Sequence, residues 1–403
     1  MRNQGVGSWP ARRARKSPDR IAVVQDGRSW TYRTLYDRAI RLAHAFRDLG
    51  VLAGDRISYL GPNDVSFLDT LFAAGLLGAI LVPLSTRAAG PELVHNVTDS
   101  GSTLLVYPRD HAAMVTQIRA SGVIRQFITL GSPLQDGEHR YADLIAGGAT
   151  DAIDQPTGLD DTCMIMYASG VTGLPRGVVL THGNVTWNCV NVLVDVDMAG
   201  SEITLVAAPL QHGEALNMSC LPTLLKGGTV VLVGAFDPIV VLELIERHRV
   251  TSMFGVPAMY EAMAASDAWA GTDLSSLRHL DCGGAPVCAG TTRRYLDRGL
   301  AFSQGYRLAE AGQGVLHLAE ASPAEQLGFA GVPHLFTSVR VIRPDGREAA
   351  PGEHGELVIA GPNVTPGYWR RPDLQDEVFG RDGWLRTGHT AAVNADGYVS
   401  VVD

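Results

Sequence analysis

Short apolar runs recur along this chain, and segments with helical spacing separate them. RISYL (Arg56–Leu60), STLLVY (Ser102–Tyr107) and TLVAAPL (Thr204–Leu210) read as buried strands, as do GTVVLV (Gly228–Val233) and TSMFGVP (Thr251–Pro257). Between them lie patterns such as SFLDTLFAAGLLGA and DPIVVLELIERHRV. In the second, Val240, Val241, Leu244 and Ile245 predict one apolar helical stripe. Strand and helix in alternation predict parallel sheets covered by helices, because parallel strands need long crossovers. After about Ala330 the texture changes. SVRVIRPDGREAAPGEHGELVIAGPNV is punctuated by Pro-Asp-Gly and Pro-Gly, which predicts hairpins in a small β-rich region over 331–403.

At 403 residues the chain is too long for one simple core and should divide into subdomains. A net charge of −9 argues against nucleic acid as a partner, since binding a polyphosphate needs an excess of cations. The cluster Arg12, Arg13, Arg15 and Lys16 reads as the solvated face of a first helix. Five scattered cysteines without C-x-x-C spacing suggest neither a disulfide framework nor a zinc site. The apolar stretch Leu71–Leu84 falls short of the about 18–20 residues that span a bilayer, and the N-terminus has no signal-peptide core. A cytoplasmic protein with no membrane span is the expectation.

One loop carries more information than its glycine content. In MYASGVTGLPRGVVLTH (Met166–His182) an apolar run leads into Ser169, Thr172 and Gly173, then Arg176. Hydroxyls and backbone N–H groups after a strand suit a phosphate, with a cation to offset its charge. The loop is no Walker A motif, because G-x-x-x-x-G-K-[ST] is absent.

This loop resembles the signature of the adenylate-forming enzymes: acyl-CoA synthetases, peptide-synthetase adenylation domains and firefly-type luciferases. CGGAPV (Cys282–Val287) resembles their adenine-side loop, and QGYRLAEAG (Gln304–Gly312) stands where members carry Tyr-Gly-x-Thr-Glu. GEHGELVIAGPNVTPGYW and DGWLRTGHTAAVNADGYVSVVD match the closing motifs of the family's large domain. The opening segments SWTYRTLYDRAIRLAHAFRDLG and GDRISYLGPN resemble fatty-acid or medium-chain acyl-CoA synthetases. The resemblance covers essentially the whole chain, in order. It implies an α/β fold with two αβ-sheet subdomains over about 1–330 and a small β-barrel over about 331–403. It also implies a mobile C-terminal domain beyond Asp403, bearing a lysine that members use on the carboxylate. Residues 1–403 would be the large N-terminal domain without that part, either because the chain is shortened or because the protein does without it.

The resemblance assigns the nucleotide to Ser169, Thr172, Gly173, Arg176, Gly284, Tyr306, Glu310 and Arg386, with Glu310 on magnesium. Departures fall on the same site. Val171 replaces a threonine, Arg176 a lysine, Arg307 a glycine, and Ala309 the threonine near the α-phosphate. His389 replaces the aspartate that accepts both ribose hydroxyls, and a neutral imidazole accepts only one bond. Each hydrogen bond lost to a charged acceptor costs about 1.5–3 kcal/mol. Impaired adenylation is therefore expected.

On the acyl side, APLQHGEALNM (Ala208–Met218) resembles Pro-Leu-Phe-His-x-x-Gly, with Gln211 in place of an aromatic and Glu214 added. His212 and Glu214, two apart, would share a face in extended backbone and could act as a general base or polar anchor. Alternatively, Glu214 is a rim residue salt-bridged to Arg307. H-x-E also occurs in zinc deaminases, but their P-C-x-x-C is missing.

The leading expectation is a redirected acyl-CoA-synthetase-like enzyme. It would bind an organic acid, acyl or aryl substrate and run condensation, cyclisation or acyl transfer without ATP. His212, Glu214, Arg307 and His389 would do its chemistry, and no cofactor would be required. The alternatives are an acid–CoA ligase using ATP, Mg2+ and CoA, or a non-catalytic scaffold. The partner is a small-molecule acid in either enzyme reading, and homodimer formation stays open.

Overall fold

The alternation of apolar runs becomes two sets of parallel strands, in two units. The structure is a computed structural model and describes residues 2–168, 173–284, 287–319, 329–380 and 382–402. One unit comprises Met1–Val185 with Tyr368–Arg370, the other Thr186–Gly367 with Arg371–Asp403. The first unit opens with a hairpin of β1 (Ile21–Gln25) and β2 (Arg28–Thr31). It continues through β3 (Arg56–Leu60), β4 (Ile80–Leu84), β5 (Leu104–Pro108), β6 (Gln126–Leu130), β7 (Glu138–Arg140), β8 (Thr162–Ala168) and β9 (Arg176–Thr181). These seven form one sheet in the order β7-β6-β5-β3-β4-β8-β9, parallel except for the antiparallel edge strand β9.

Local chemistry sets the helix starts. Thr31, Asp64 and Asp237 each accept a backbone N–H at the start of the helices Tyr32–Asp48, Val65–Leu77 and Pro238–His248, as N-caps do. Helix Val65–Leu77 is buried along its whole length, which explains its all-round apolarity. Gly78, at φ 67°, ends it and turns the chain into β4. The apolar stretch at Leu71–Leu84 is thus a core helix and strand. No helix among the described residues is long and apolar enough to cross a membrane.

The second unit holds β10 (Ile203–Val206), β11 (Thr229–Leu232), β12 (Ser252–Gly255), β13 (His279–Cys282) and β14 (Phe302–Gln304). All five run parallel, in the order β14-β13-β12-β10-β11. Two short strands, β15 (Leu316–His317) and β16 (Val332–Pro333), pair antiparallel. A small antiparallel sheet follows, β17 (Ser338–Ile342), β18 (Gly355–Ala360), β19 (Leu385–Val393) and β20 (Val399–Val401), around Val341, Leu357, Ile359, Leu385 and Val399. The architecture is mixed α/β, with two parallel-sheet subdomains and a small antiparallel sheet.

Two local expectations change. The run Thr204–Leu210 is strand only to Val206, and the chain then turns at Leu210–His212; Pro209 has no N–H to give a ladder. Helix Pro238–His248 buries Val241, Leu242 and Ile245 while Val240 is 44% exposed. Its inward face is therefore rotated by one residue from the predicted stripe.

Candidate functional site

In the second unit the candidate residues gather at the C-terminal ends of the parallel strands. Strand order reverses at β10, which has β11 on one side and β12 on the other. Crevices outside the carboxyl ends of strands at such a switch point are where open α/β sheets bind ligands. The segment after β10 carries His212 and Glu214, the one after β13 carries Gly283 and Gly284, and the one after β14 carries Tyr306 and Arg307.

Strand register places Phe254, Asp281 and Ser303 side by side on β12, β13 and β14. Arg307 turns back onto this row. Its Nη2 donates to Asp281 Oδ1 at 2.5 Å, and its guanidinium lies 5.2 Å from the centroid of the Phe254 ring. Only 4% of the Arg307 side chain is exposed. Its Nε and Nη1 are buried without a hydrogen-bond partner among the described residues. Gly283 allows this packing, because a Cβ there would lie 2.9 Å from both Arg307 Nε and the Phe254 ring.

Glu214 is half-buried in the same electrostatic neighbourhood. Burial pushes its carboxyl up, the Arg307 cation pulls it back, and Asp281 adds an upward push. Burial, with the Asp281 carboxylate next, pushes the Cys282 thiol up to about 12. The ion pair of Arg307 is made with Asp281, where the sequence suggested Glu214. Nor do His212 and Glu214 share an extended face. Leu210–His212 is a 3-10 turn, Gly213 takes φ 84°, and a helix begins at Glu214. His212 is exposed, and its carbonyl accepts from Gln313 Nε2 at 3.2 Å.

A β-bulge brings the second pair together. Between the register pairs Glu356↔Thr390 and Val358↔Arg386, the residues Thr387, Gly388 and His389 face the single Leu357. Such bulges re-aim side chains. Here His389 Nδ1 lies 2.7 Å from the Tyr306 hydroxyl, with the two rings edge to face. Arg386, on the same strand, directs Nε (3.0 Å) and Nη2 at the Glu356 carboxylate.

Glu310 sits in a 3-10 turn, Ala309–Ala311, whose backbone is fixed by Thr365 N donating to the Glu310 carbonyl at 2.6 Å. No group of three or more His, Cys, Asp or Glu is placed to hold a metal among the described residues. Gly284 takes φ 86°. In the first unit, Arg176 opens β9, and Gly173 precedes it at φ 110°. Ser169, Val171 and Thr172 lie outside the described residues. Asp281 and Ser303 belong to no motif that the sequence singles out.

The family of AMP-binding enzymes matches residues 10–369. The chain belongs to it. Over all 403 residues it is 53% identical to a feruloyl-CoA synthase of an Amycolatopsis species, spanning 79% of that protein. An indoleacetate–CoA ligase of Aromatoleum aromaticum is 33% identical over 397 residues, 98% of this chain and 78% of the relative. Among solved structures, the inhibitor-bound N-terminal domain of FACL13 from Mycobacterium tuberculosis superposes with a TM-score of 0.93 at 31% identity, covering 99% of both chains. The AMP-binding fold is thereby established, and the protein is acid–CoA-ligase-like. These relatives favour the ligase alternative over redirected chemistry, and none of them supports cofactor-free turnover.

Proposed function

We propose that this AMP-binding protein activates an aromatic carboxylic acid, of the hydroxycinnamic (ferulic) type, to its CoA thioester at the expense of ATP. In this reading residues 1–403 are the large, acid- and nucleotide-binding domain. The observation that carries it is the 53% identity to feruloyl-CoA synthases across the full chain. The site's chemistry agrees. Acid activation needs positioning and electrostatics more than a base, because the carboxylate is already ionised and is itself the nucleophile. Tyr306, Arg386 and the glycine-rich loops would hold the nucleotide, Glu310 would face Mg2+, and the acid would lie along the strand ends beside Glu214 and Arg307. Incubation with ferulic acid, ATP, Mg2+ and CoA, followed by mass spectrometry, tests this. Feruloyl-CoA is expected only when all four are present, and its absence under every condition would sink the reading.

A second reading, ATP-independent chemistry on the same acid pocket, is favoured by His389. It replaces the family's aspartate and is engaged with Tyr306. Substrate conversion in the absence of any nucleotide would support this reading and count against the ligase.

A further inference from the structure

Along the face of the parallel sheet lies a cavity of ≈ 30 Å³, lined on its apolar side by Val196, Met218 and Met253 and on its polar side by Asp281, Ser303 and His317. That is room for one hydroxyl-sized group. Asp281 Oδ1 is occupied, with Arg307 Nη2 at 2.5 Å and Ser303 Oγ at 3.3 Å. Among the described residues, its Oδ2 has no donor. The guanidinium on the same carboxylate keeps two buried nitrogens, Nε and Nη1, without acceptors. Buried donors are rarely left unmet, because each costs free energy until a partner arrives. The Asp281 carboxylate, held by the Arg307 guanidinium, thus lines an apolar, methionine-walled space, and methionine sulfur packs well against aromatic rings.

We infer that this cavity receives a phenolic hydroxyl at the far end of the aromatic acid, with Asp281 as the residue that selects it and Arg307 as the residue that positions its carboxylate. A phenol answers the open Asp281 oxygen, since its O–H donates a hydrogen bond. An ether oxygen only accepts, and its methyl group overfills the space. A bare ring C–H does neither. The inference rests on the proposed acid-activating reading, and it concerns recognition alone.

The test is calorimetric binding, without nucleotide, of three acids that differ at one position: 4-hydroxycinnamic, 4-methoxycinnamic and cinnamic acid. The wild-type chain is expected to bind the hydroxylated acid about tenfold tighter than either of the others, the scale of one charge-assisted hydrogen bond. Asp281→Asn should erase most of that preference. Should that variant fail to fold, Ser219→Val, which fills the cavity from another wall, should erase the preference by exclusion. Equal binding of the three acids by the wild-type chain, no binding of any, or a preference that survives both substitutions overturns the inference. Thioester formation is scored separately. A protein that prefers the phenol yet makes no thioester keeps this inference and loses the ligase.

Discussion

His389 and Tyr306 are joined by a 2.7 Å hydrogen bond that a three-residue bulge in β19 makes reachable. The imidazole has one nitrogen engaged there, so it retains a single site for a ribose hydroxyl, where the family's aspartate would offer two oxygens. ATP should therefore bind weakly, and His389→Asp should lower the KM for ATP by about tenfold, one charge-assisted hydrogen bond's worth. Steady-state kinetics at saturating acid reads this. An unchanged KM would mean that position 389 does not meet the ribose. Arg307, whose guanidinium is buried against Phe254 and Asp281, should leave room for that recovery.

Glu214 separates the two functional readings. An ionised acid that attacks phosphorus needs no general base, so Glu214→Gln should change kcat by less than about tenfold in the nucleotide-dependent reaction. A loss of about 10²–10⁴ with the fold intact would identify Glu214 as a proton acceptor and favour ATP-independent chemistry.

Much of the fold was legible because strand and helix periodicities are local. The strand cores at Arg56–Leu60, Thr229–Leu232 and Ser252–Gly255 are the apolar runs themselves. The site was legible only where a motif fixes it. Asp281 gave no signal, because its role comes from lateral register with Phe254 and Ser303, residues far apart in sequence. His212 and Glu214 looked paired until Gly213, at positive φ, put a turn between them. Arg307 was noticed as a departure, but its partner could not be chosen between two carboxylates without the geometry. Leu242 stands on the buried helix face where the stripe predicts Val240, because the periodicity of an apolar run does not by itself fix which edge of the stripe faces inward.

Acid should weaken the first unit through His182. Burial holds its imidazole down at about 4 against an ordinary 6.5, with Asp161 opposing, and Val6 N donates to its Nδ1 at 3.1 Å. Between those two values the unfolded chain takes up the proton and the folded chain does not, so stability falls as pH drops from 6.5 toward 4. The window of about 2.5 pH units corresponds to roughly 3 kcal/mol. Urea unfolding from pH 7 to 4.5 should show a shallower acid decline in His182→Asn than in the wild-type chain. Parallel declines would remove His182 as a cause.

Asp69 is a structural counterpart with no site role. It is fully buried, receives Arg38 Nη2 at 2.6 Å and Tyr141 OH at 2.5 Å, and lies in the first unit's helix layer. Asp69→Asn leaves Arg38 without its charge partner and should cost about 3–5 kcal/mol in denaturant unfolding. A loss below about 1 kcal/mol would show that water replaces the pair.

Acid activation through adenylation leaves a mark on the oxygen atoms. The acid's carboxylate oxygen attacks the α-phosphorus, pyrophosphate departs, and CoA sulfur then displaces AMP, which carries that oxygen away. Ferulic acid labelled with ¹⁸O in its carboxyl group, incubated with the protein, ATP, Mg2+ and CoA, should give AMP bearing one ¹⁸O by mass spectrometry. Unlabelled AMP, or conversion of the acid with no AMP formed, would contradict the assignment of this chain as an ATP-dependent acid–CoA ligase.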